Sequence, residues 1–182
     1  MMQTTEENLK NAFAGECQAR VRYLIFADVA RREGFPNVAR LFTAISEAEQ
    51  IHANHHYRLL GGLNGGFTTV AKGTFGPGET SKNLSLCIMG ETYEIEEMYP
   101  AFRAVAELQG ERAAFTSFDW AYQTEKVHAE LYKKAKKAVD AGKDVELGTI
   151  QICQVCGYTL EGEAPDKCPV CRAGREAFKA FQ

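Results

Sequence analysis

The sequence predicts a mainly α protein: a four-helix bundle with one long crossover, followed by a small C-terminal domain built on metal-binding cysteine knuckles. Three observations predict it. Four segments repeat apolar residues at helical spacing. A glycine-rich stretch separates the second segment from the third. Four of the six cysteines stand as two C-x-x-C pairs near the C-terminus. We place the bundle at residues 1–146 and the cysteine domain at 147–182.

The first helix begins near Thr4, where Thr4-x-x-Glu7 fits a capping box. Its apolar stripe runs Leu9, Ala12, Phe13, Ala19, Tyr23, Phe26, Ala27, Ala30, and Gly34 and Pro36 end it and restart the chain. The second carries Val38, Leu41, Phe42, Ile45, Ala48 and Leu59 up to "GGLNGG". Residues 61–80 hold seven glycines and a proline. A loop this long needs a reason in a compact domain. A helix of about 24 residues is roughly 36 Å long, and about 20 extended residues reach roughly 66 Å, so this segment can run back along the whole bundle. The third helix starts near Ser81 and carries Leu84, Cys87, Ile88, Ile95, Met98, Phe102 and Val105. Pro100 lies inside it and predicts a kink one turn after Glu96. After Gly110 the fourth shows Phe115, Phe118, Tyr122, Leu131, Tyr132, Ala135 and Val139, and Gly142 ends it.

Composition excludes several classes. The chain has 182 residues, 45% hydrophobic and 25% charged, with a net charge of −3 and no basic stretch, which argues against a nucleic-acid partner. No apolar run is long enough to cross a bilayer, and "MMQTTEENLKNAF" has no secretory-signal pattern. A cytoplasmic protein with no membrane partner is expected. Paired cysteines in such a reducing compartment read as metal ligands before disulfides; Cys17 and Cys87 stand alone and receive no role.

Each apolar stripe contains an acid. Glu16 falls between Ala12 and Ala19, and Glu91 between Ile88 and Ile95. Glu49 follows Ile45 with His52 three residues on, and Glu125 follows Tyr122 with His128 three residues on. Residues three apart share a helix face, so each Glu-x-x-His presents a carboxylate and an imidazole inward. Carboxylates are rarely buried unless paired or metal-bound. One such pair on a helix is ordinarily solvated; two, each preceded by another stripe glutamate, form the ligand set of carboxylate-bridged di-iron and di-manganese bundles.

The ligands also repeat. Glu16 to Glu49 is 33 residues and Glu91 to Glu125 is 34, and Gly15-Glu16 matches Gly90-Glu91. The glycines are expected to let a neighbouring helix approach. In this alignment Glu94 faces Ala19, so Glu94 is an extra carboxylate that should make the two metals unequal. Glu96 and Glu97 point to the polar side. Tyr23 and Tyr99 can hydrogen-bond ligand carboxylates or serve as core tyrosines. His55 and His56 read as surface or internally satisfied side chains.

Near the C-terminus, "CQVCGY" and "CPVC" place Cys153, Cys156, Cys168 and Cys171 for a tetrahedral four-thiolate site. A segment under about 40 residues ordinarily needs such a metal to fold. Spacing alone leaves zinc or iron open. A neighbouring two-metal carboxylate site, which needs an electron supply, favours iron.

Taken together, "AGECQARVRY", "EAEQIH", "GETYEIEEMYPAF", "TEKVHAELY", "CQVCGY" and "CPVC" resemble the rubrerythrin family over essentially the whole chain. The resemblance implies a ferritin-like bundle holding two iron ions joined to a rubredoxin-like domain holding one. It implies bridging roles for Glu49 and Glu125, Glu16 on one iron, and Glu91 and His128 on the other. Glu94 and His52 would exchange on the first iron between the oxidised and reduced states. It further implies a homodimer in which the tetracysteine iron of one subunit lies near the di-iron site of another. The implied activity is reduction of hydrogen peroxide to water, with electrons from a rubredoxin or an NAD(P)H-dependent reductase and with Glu94, His52, Tyr23 and Tyr99 as the catalytic candidates. Two other classes remain at this point: a ferritin-like iron store, and a zinc-ribbon interaction protein whose bundle is structural.

Overall fold

The computed structural model describes residues 1–182. Helices α1 (Gln3–Arg32) and α2 (Pro36–Leu59) form one hairpin, broken where Gly34 adopts φ +84° and Pro36 opens α2. The second hairpin is α3 (Thr80–Tyr93) and α4 (Tyr99–Leu108) against α5 (Arg112–Asp140). Main contact between the hairpins runs through α2 and α5. The crossover lies over α1 and α3: Val70 N–H donates to Asn11 Oδ1 at 2.9 Å, and the Lys72 ammonium sits 4.1 Å from the Tyr93 ring centroid.

The expected capping box at Thr4 does not form. Thr4 already lies inside α1, which has no side-chain cap, and Glu7 instead takes a bond from Lys10 Nζ at 2.5 Å. Pro100 disturbs its helix differently from a simple kink. Residues Glu94–Met98 form a π-helical turn between α3 and α4, closed by a bond from Tyr99 N–H to Glu94 O. Pro100 has no N–H to return to the Glu96 carbonyl, so the ordinary ladder is already interrupted here.

This wide turn explains the unequal spacing of the repeat. Tyr23 follows Glu16 by 7 residues (23 − 16), whereas Tyr99 follows Glu91 by 8 (99 − 91). From tyrosine to the next glutamate both halves count 26: 49 − 23 and 125 − 99. The whole difference between 33 and 34 therefore falls between Glu91 and Tyr99, where the π turn absorbs one extra residue and keeps both tyrosines facing the centre.

Beyond α5, β1 (Ile150–Cys153) lies centrally in a three-stranded antiparallel sheet between β2 (Thr159–Glu161) and β3 (Phe178–Phe181). Ile150 and Ile152 are fully buried in the same core as Phe42, Ile45 and Tyr132. Arg40 on α2 fastens the sheet, donating to the carbonyls of Leu147 and Gly148 at 2.9 Å and of Phe181 at 3.0 Å. The small sheet thus shares the bundle's core, as its size demands.

Candidate metal centres

The four stripe acids converge at the centre. Glu16, Glu49, Glu91 and Glu125 are each at most 1% exposed, as are His52 and His128. His52 Nδ1 lies 3.0 Å from Glu125 Oε1, 3.2 Å from Glu49 Oε2 and 3.8 Å from Glu16 Oε1. His128 Nδ1 lies 2.7 Å from Glu125 Oε2, 3.5 Å from Glu49 Oε1 and 4.0 Å from Glu91 Oε2. Glu49 and Glu125 thus each turn one oxygen to either side. Two overlapping clusters result, Glu16/Glu49/His52/Glu125 and Glu49/Glu91/Glu125/His128, with the potential ligand atoms of each within 4.8 Å of one another.

These side chains fit a pair of cations. Glu16 Oε2, Glu91 Oε2, both oxygens of Glu125 and His128 Nδ1 are buried without hydrogen-bond partners. Buried polar atoms are ordinarily satisfied; the Glu125 oxygens and His128 Nδ1 have only short approaches within the cluster, Glu16 Oε2 and Glu91 Oε2 have none, and this inward-facing donor set calls for metal. Charge gives the same answer. Burial and the neighbouring charges of Glu49, Glu94 and Glu125 hold the Glu16 carboxyl well above the usual carboxylate range. Burial, Glu125 and Glu49 do the same to Glu91. Burial opposes charge on both imidazoles, yet Glu125 and Glu49 outweigh it, pushing His52 up to about 10 and His128 up to about 9. Burial likewise opposes ionisation of Glu49, but His128 and His52 hold it below the usual range. Protons on these groups stand in for positive charge that cations would supply.

Each outer acid is held by a tyrosine from another helix. Tyr23 on α1 donates to Glu91 Oε1 at 2.7 Å, and Tyr99 on α4 donates to Glu16 Oε1. Glu94 is half-buried and lies outside the converging clusters, while His52 faces them. Glu96 and Glu97 are exposed. Gly15 and Gly90 do not bring helices together: a Cβ built on either meets nothing within 4 Å. Both instead line an open cavity beside Glu94.

Several residues that sequence reasoning left aside prove central. His56 is fully buried, bonded through Nδ1 to Ser117 Oγ at 2.8 Å and through Nε2 to Tyr99 Oη at 3.2 Å. It was expected to be satisfied or at the surface, and it is satisfied. His55 Nε2 reaches the Val155 carbonyl at 2.5 Å and its ring meets Trp120 edge-on at 5.0 Å. His128 Nε2 lies 2.9 Å from Thr159 Oγ1, which in turn donates to the Gly157 carbonyl at 3.2 Å. Gly157 adopts φ +83°, and a Cβ there would press on His52 Nε2 and come 2.7 Å from its Cδ2. No periodicity marks Thr159 or Ser117; the knuckle sequence "CGY" is the one local cue to Gly157.

The cysteine module supplies a second centre. Sγ atoms of Cys153 and Cys171, and of Cys156 and Cys168, lie 3.6 Å apart, and all four sulfurs fall within 4.8 Å. Metal–sulfur bonds of about 2.3 Å give a tetrahedral edge of about 3.8 Å, close to that spacing. The Cys156 thiol and the backbone N–H groups of Cys156 and Val155 overcome burial to bring Cys153 down to about 5. Trp120 on α5 packs against the sulfurs. Within the chain the module lies on its own bundle, with Gly157, Thr159 and Val155 against His52, His128 and His55.

Fold and donor atoms together define a carboxylate-bridged di-iron protein of ferritin-like architecture carrying a four-cysteine rubredoxin-like iron site. The chain belongs to the rubrerythrin family, whose members are oxidoreductases. The family model for rubrerythrin matches residues 7–136, and the model for the rubrerythrin rubredoxin-like domain matches 151–179. Rubrerythrin-2 of Clostridium acetobutylicum is 37% identical over 97% of this chain and 96% of its own length. Nigerythrin of Nitratidesulfovibrio vulgaris is 39% identical over 98% and 87%. The structure of fully reduced, all-ferrous nigerythrin superposes with a TM-score of 0.85 at 36% identity, covering 100% of this chain and 88% of that one. The di-iron carboxylate and histidine site includes Glu16, Glu49, His52 and Glu125. No helix is long and apolar enough to cross a membrane.

Proposed function

We propose that this chain is a non-haem di-iron peroxidase that reduces hydrogen peroxide to water in oxidative-stress defence. The observation that carries the proposal is the seating of the four-cysteine module directly on the two imidazoles of the carboxylate cluster, through Gly157 on His52 and Thr159 on His128. A peroxidase must refill its metal pair after each turnover; an iron store or a structural zinc ribbon has no use for that contact. When bound, the iron pair supplies the two electrons that break the O–O bond, and the tetracysteine iron supplies their replacements.

The protein's own residues hold and protonate. Glu49 and Glu125, each with one oxygen toward either imidazole, would bridge the pair. Glu16 and His52 would complete one side, Glu91 and His128 the other. Glu94, on the π turn, would exchange with His52 as the charge of the pair changes. Tyr23 and Tyr99 keep their phenolic protons, because burial and the adjacent Glu91 and Glu16 raise both well above the usual phenol range. Their O–H groups point at Glu91 Oε1 and Glu16 Oε1, where protons taken up with the electrons are needed. Cys153, Cys156, Cys168 and Cys171 hold the relay iron, filled by a rubredoxin or an NAD(P)H-dependent reductase. Residues 1–146 and 147–182 act as the reducing and relay units of a cytoplasmic homodimer, a compartment in which the four thiols stay reduced.

The test is direct. An anaerobic, iron-loaded, prereduced sample is mixed with stoichiometric hydrogen peroxide in a stopped-flow spectrometer. Reoxidation complete within seconds supports the proposal, and a sample left reduced for minutes ends it. Iron uptake separates storage, since a store takes many irons per chain whereas these ligands hold about three.

A further inference from the structure

Between α1 and α3 a cavity of about 240 Å³ opens beside the di-iron site, walled by Gly15 and Ala19 on one side, Leu86 and Gly90 on the other, and roofed by the crossover at Phe75. Its polar lining is Glu94 and Tyr23 with Arg22, Lys72, Thr74 and Tyr93, and Tyr23 leads by one hydrogen bond to Glu91. It shares Arg22, Thr74, Phe75 and Leu86 with a larger groove of about 490 Å³ lined by Val21, Ile25 and Pro77. Phe75 is 81% exposed at the mouth. Hydrogen peroxide needs none of this. A water molecule's share of liquid volume is about 30 Å³, and an apolar cavity of about 150 Å³ already admits a benzene ring. A chamber that sets a carboxylate, phenols and the Arg22 and Lys72 cations beside Ala19, Leu86, Phe75 and Met89 suits a molecule that carries a polar group on an apolar body.

We propose that this cavity is a binding site for organic hydroperoxides, and that Gly15 and Gly90 set the size of the group admitted. The proposal rests on the peroxidase reading above and extends its substrate class. The hydroperoxide end meets Tyr23 and Glu94, and the carbon body lies against Ala19, Leu86 and Phe75. In the reaction the O–O bond breaks. ROOH takes up two electrons and two protons and leaves as ROH and water, the electrons being those of the reduced iron pair. The two glycines are suited to gating because each sits one residue before a ligand glutamate and a Cβ on either meets open space. A Cβ at either position meets no neighbour, and a longer side chain would take up volume of the chamber both glycines line.

The experiment uses the full-length, iron-loaded protein with its reductant, comparing hydrogen peroxide with cumene hydroperoxide. Wild type should reduce both, with kcat/KM values within about tenfold of each other. Gly90→Leu and Gly15→Leu should each lower kcat/KM for cumene hydroperoxide at least about tenfold and leave hydrogen peroxide within about twofold. Met89→Ala, which trims an exposed wall residue, should raise the organic substrate's value and keeps the test alive if a leucine variant loses iron or folds poorly. A readout independent of turnover is the binding of the product alcohol, 2-phenyl-2-propanol, to full-length zinc-loaded protein. It should shift the amide resonances of Gly15, Ala19 and Gly90 saturably, and Gly90→Leu should abolish the shifts. If wild type reduces hydrogen peroxide alone, or the leucine variants slow both substrates equally, or the alcohol shifts nothing, the hydroperoxide site is wrong and the peroxidase reading stands. If neither peroxide is reduced, both fall.

Discussion

His128 Nε2 lies 2.9 Å from Thr159 Oγ1, so a strand of the cysteine module orients an imidazole of the di-iron site. Thr159 spends its own proton on the Gly157 carbonyl at 3.2 Å and must accept from His128. That fixes the tautomer of the neutral ring: Nε2 keeps its hydrogen, and it is Nδ1, facing Glu125, Glu49 and Glu91, that gives up its proton for metal. Both modules therefore share one hydrogen-bonded unit.

Thr159→Val tests this. The substitution keeps the shape and removes the acceptor, leaving a buried N–H unpaired at a cost of about 1–3 kcal/mol. Loss of an outer hydrogen bond to a metal-bound histidine lowers metal affinity or activity about 10–100-fold. We expect the iron nearer His128 to be lost first under a competing chelator, measured by iron analysis and Mössbauer spectra, and Thr159→Ser to restore it. Unchanged retention in the valine variant would remove Thr159 from the site.

The tyrosine pair carries the second prediction. Tyr23→Phe and Tyr99→Phe each delete one buried O–H donated to a ligand carboxylate. Positioned proton donors contribute about 10²–10⁴-fold, so peroxide reoxidation should slow at least about 100-fold in each variant while iron content stays near wild type. Both phenols are held well above their usual range by burial and the adjacent carboxylates, so they keep their protons where an ordinary phenol begins to ionise. The wild-type rate should accordingly show no loss traceable to tyrosine ionisation as pH rises to 9. Stopped-flow traces at several pH values check both points.

How much of this site could be read from the chain follows from its geometry. Glu49/His52 and Glu125/His128 were legible because ligands three apart on an apolar stripe announce themselves through helical periodicity. Glu16 and Glu91 stood out as acids on the same apolar stripes, and the repeat reinforced them. The π turn was not legible: a one-residue difference between 33 and 34 shows nothing until Tyr23 and Tyr99 are seen to play the same part on opposite acids. Thr4 misled because a capping box is a local pattern, and α1 simply begins earlier. Gly15 and Gly90 misled because small residues accompany both close packing and open space. Arg40, Thr159 and Gly157 act across the join between bundle and sheet, and such contacts have no period along the sequence.

Gly157 gives a third prediction with its own control. Gly157 and Gly162 both have positive φ, +83° and +110°, but a Cβ at Gly162 meets nothing within 4 Å whereas one at Gly157 strikes His52. Both alanine variants bear the backbone strain, of order 1–3 kcal/mol; only Gly157→Ala adds the collision. We expect electron transfer between the tetracysteine and di-iron sites to slow at least about tenfold in Gly157→Ala and to stay near wild type in Gly162→Ala, with tunnelling highly sensitive to placement of the facing groups. Equal rates in the two variants would mean that the module's seat on His52 does not govern transfer.

Iron loading should expel protons. In the metal-free chain Glu16 and Glu91 are held above the usual carboxylate range, and His52 and His128 stay protonated up to about 10 and about 9. All four must lose their protons to bind metal. Protons and iron therefore compete, and the sign is fixed: apparent affinity rises with pH and falls as the solution is acidified, most steeply where the largest number of these groups must give up a proton. Adding ferrous ion anaerobically to the metal-free protein in weak buffer at pH 7 should release about two to four protons per iron pair, read with a pH indicator. Removing the iron again leaves buried carboxyls without counter-charge, and the melting temperature should fall with it; each kcal/mol lost lowers it by about 2–4 °C in a chain of this size. Loading without proton release would mean that the ligands are already ionised before metal arrives, and that the burial of Glu16 and Glu91 is compensated by something other than protons.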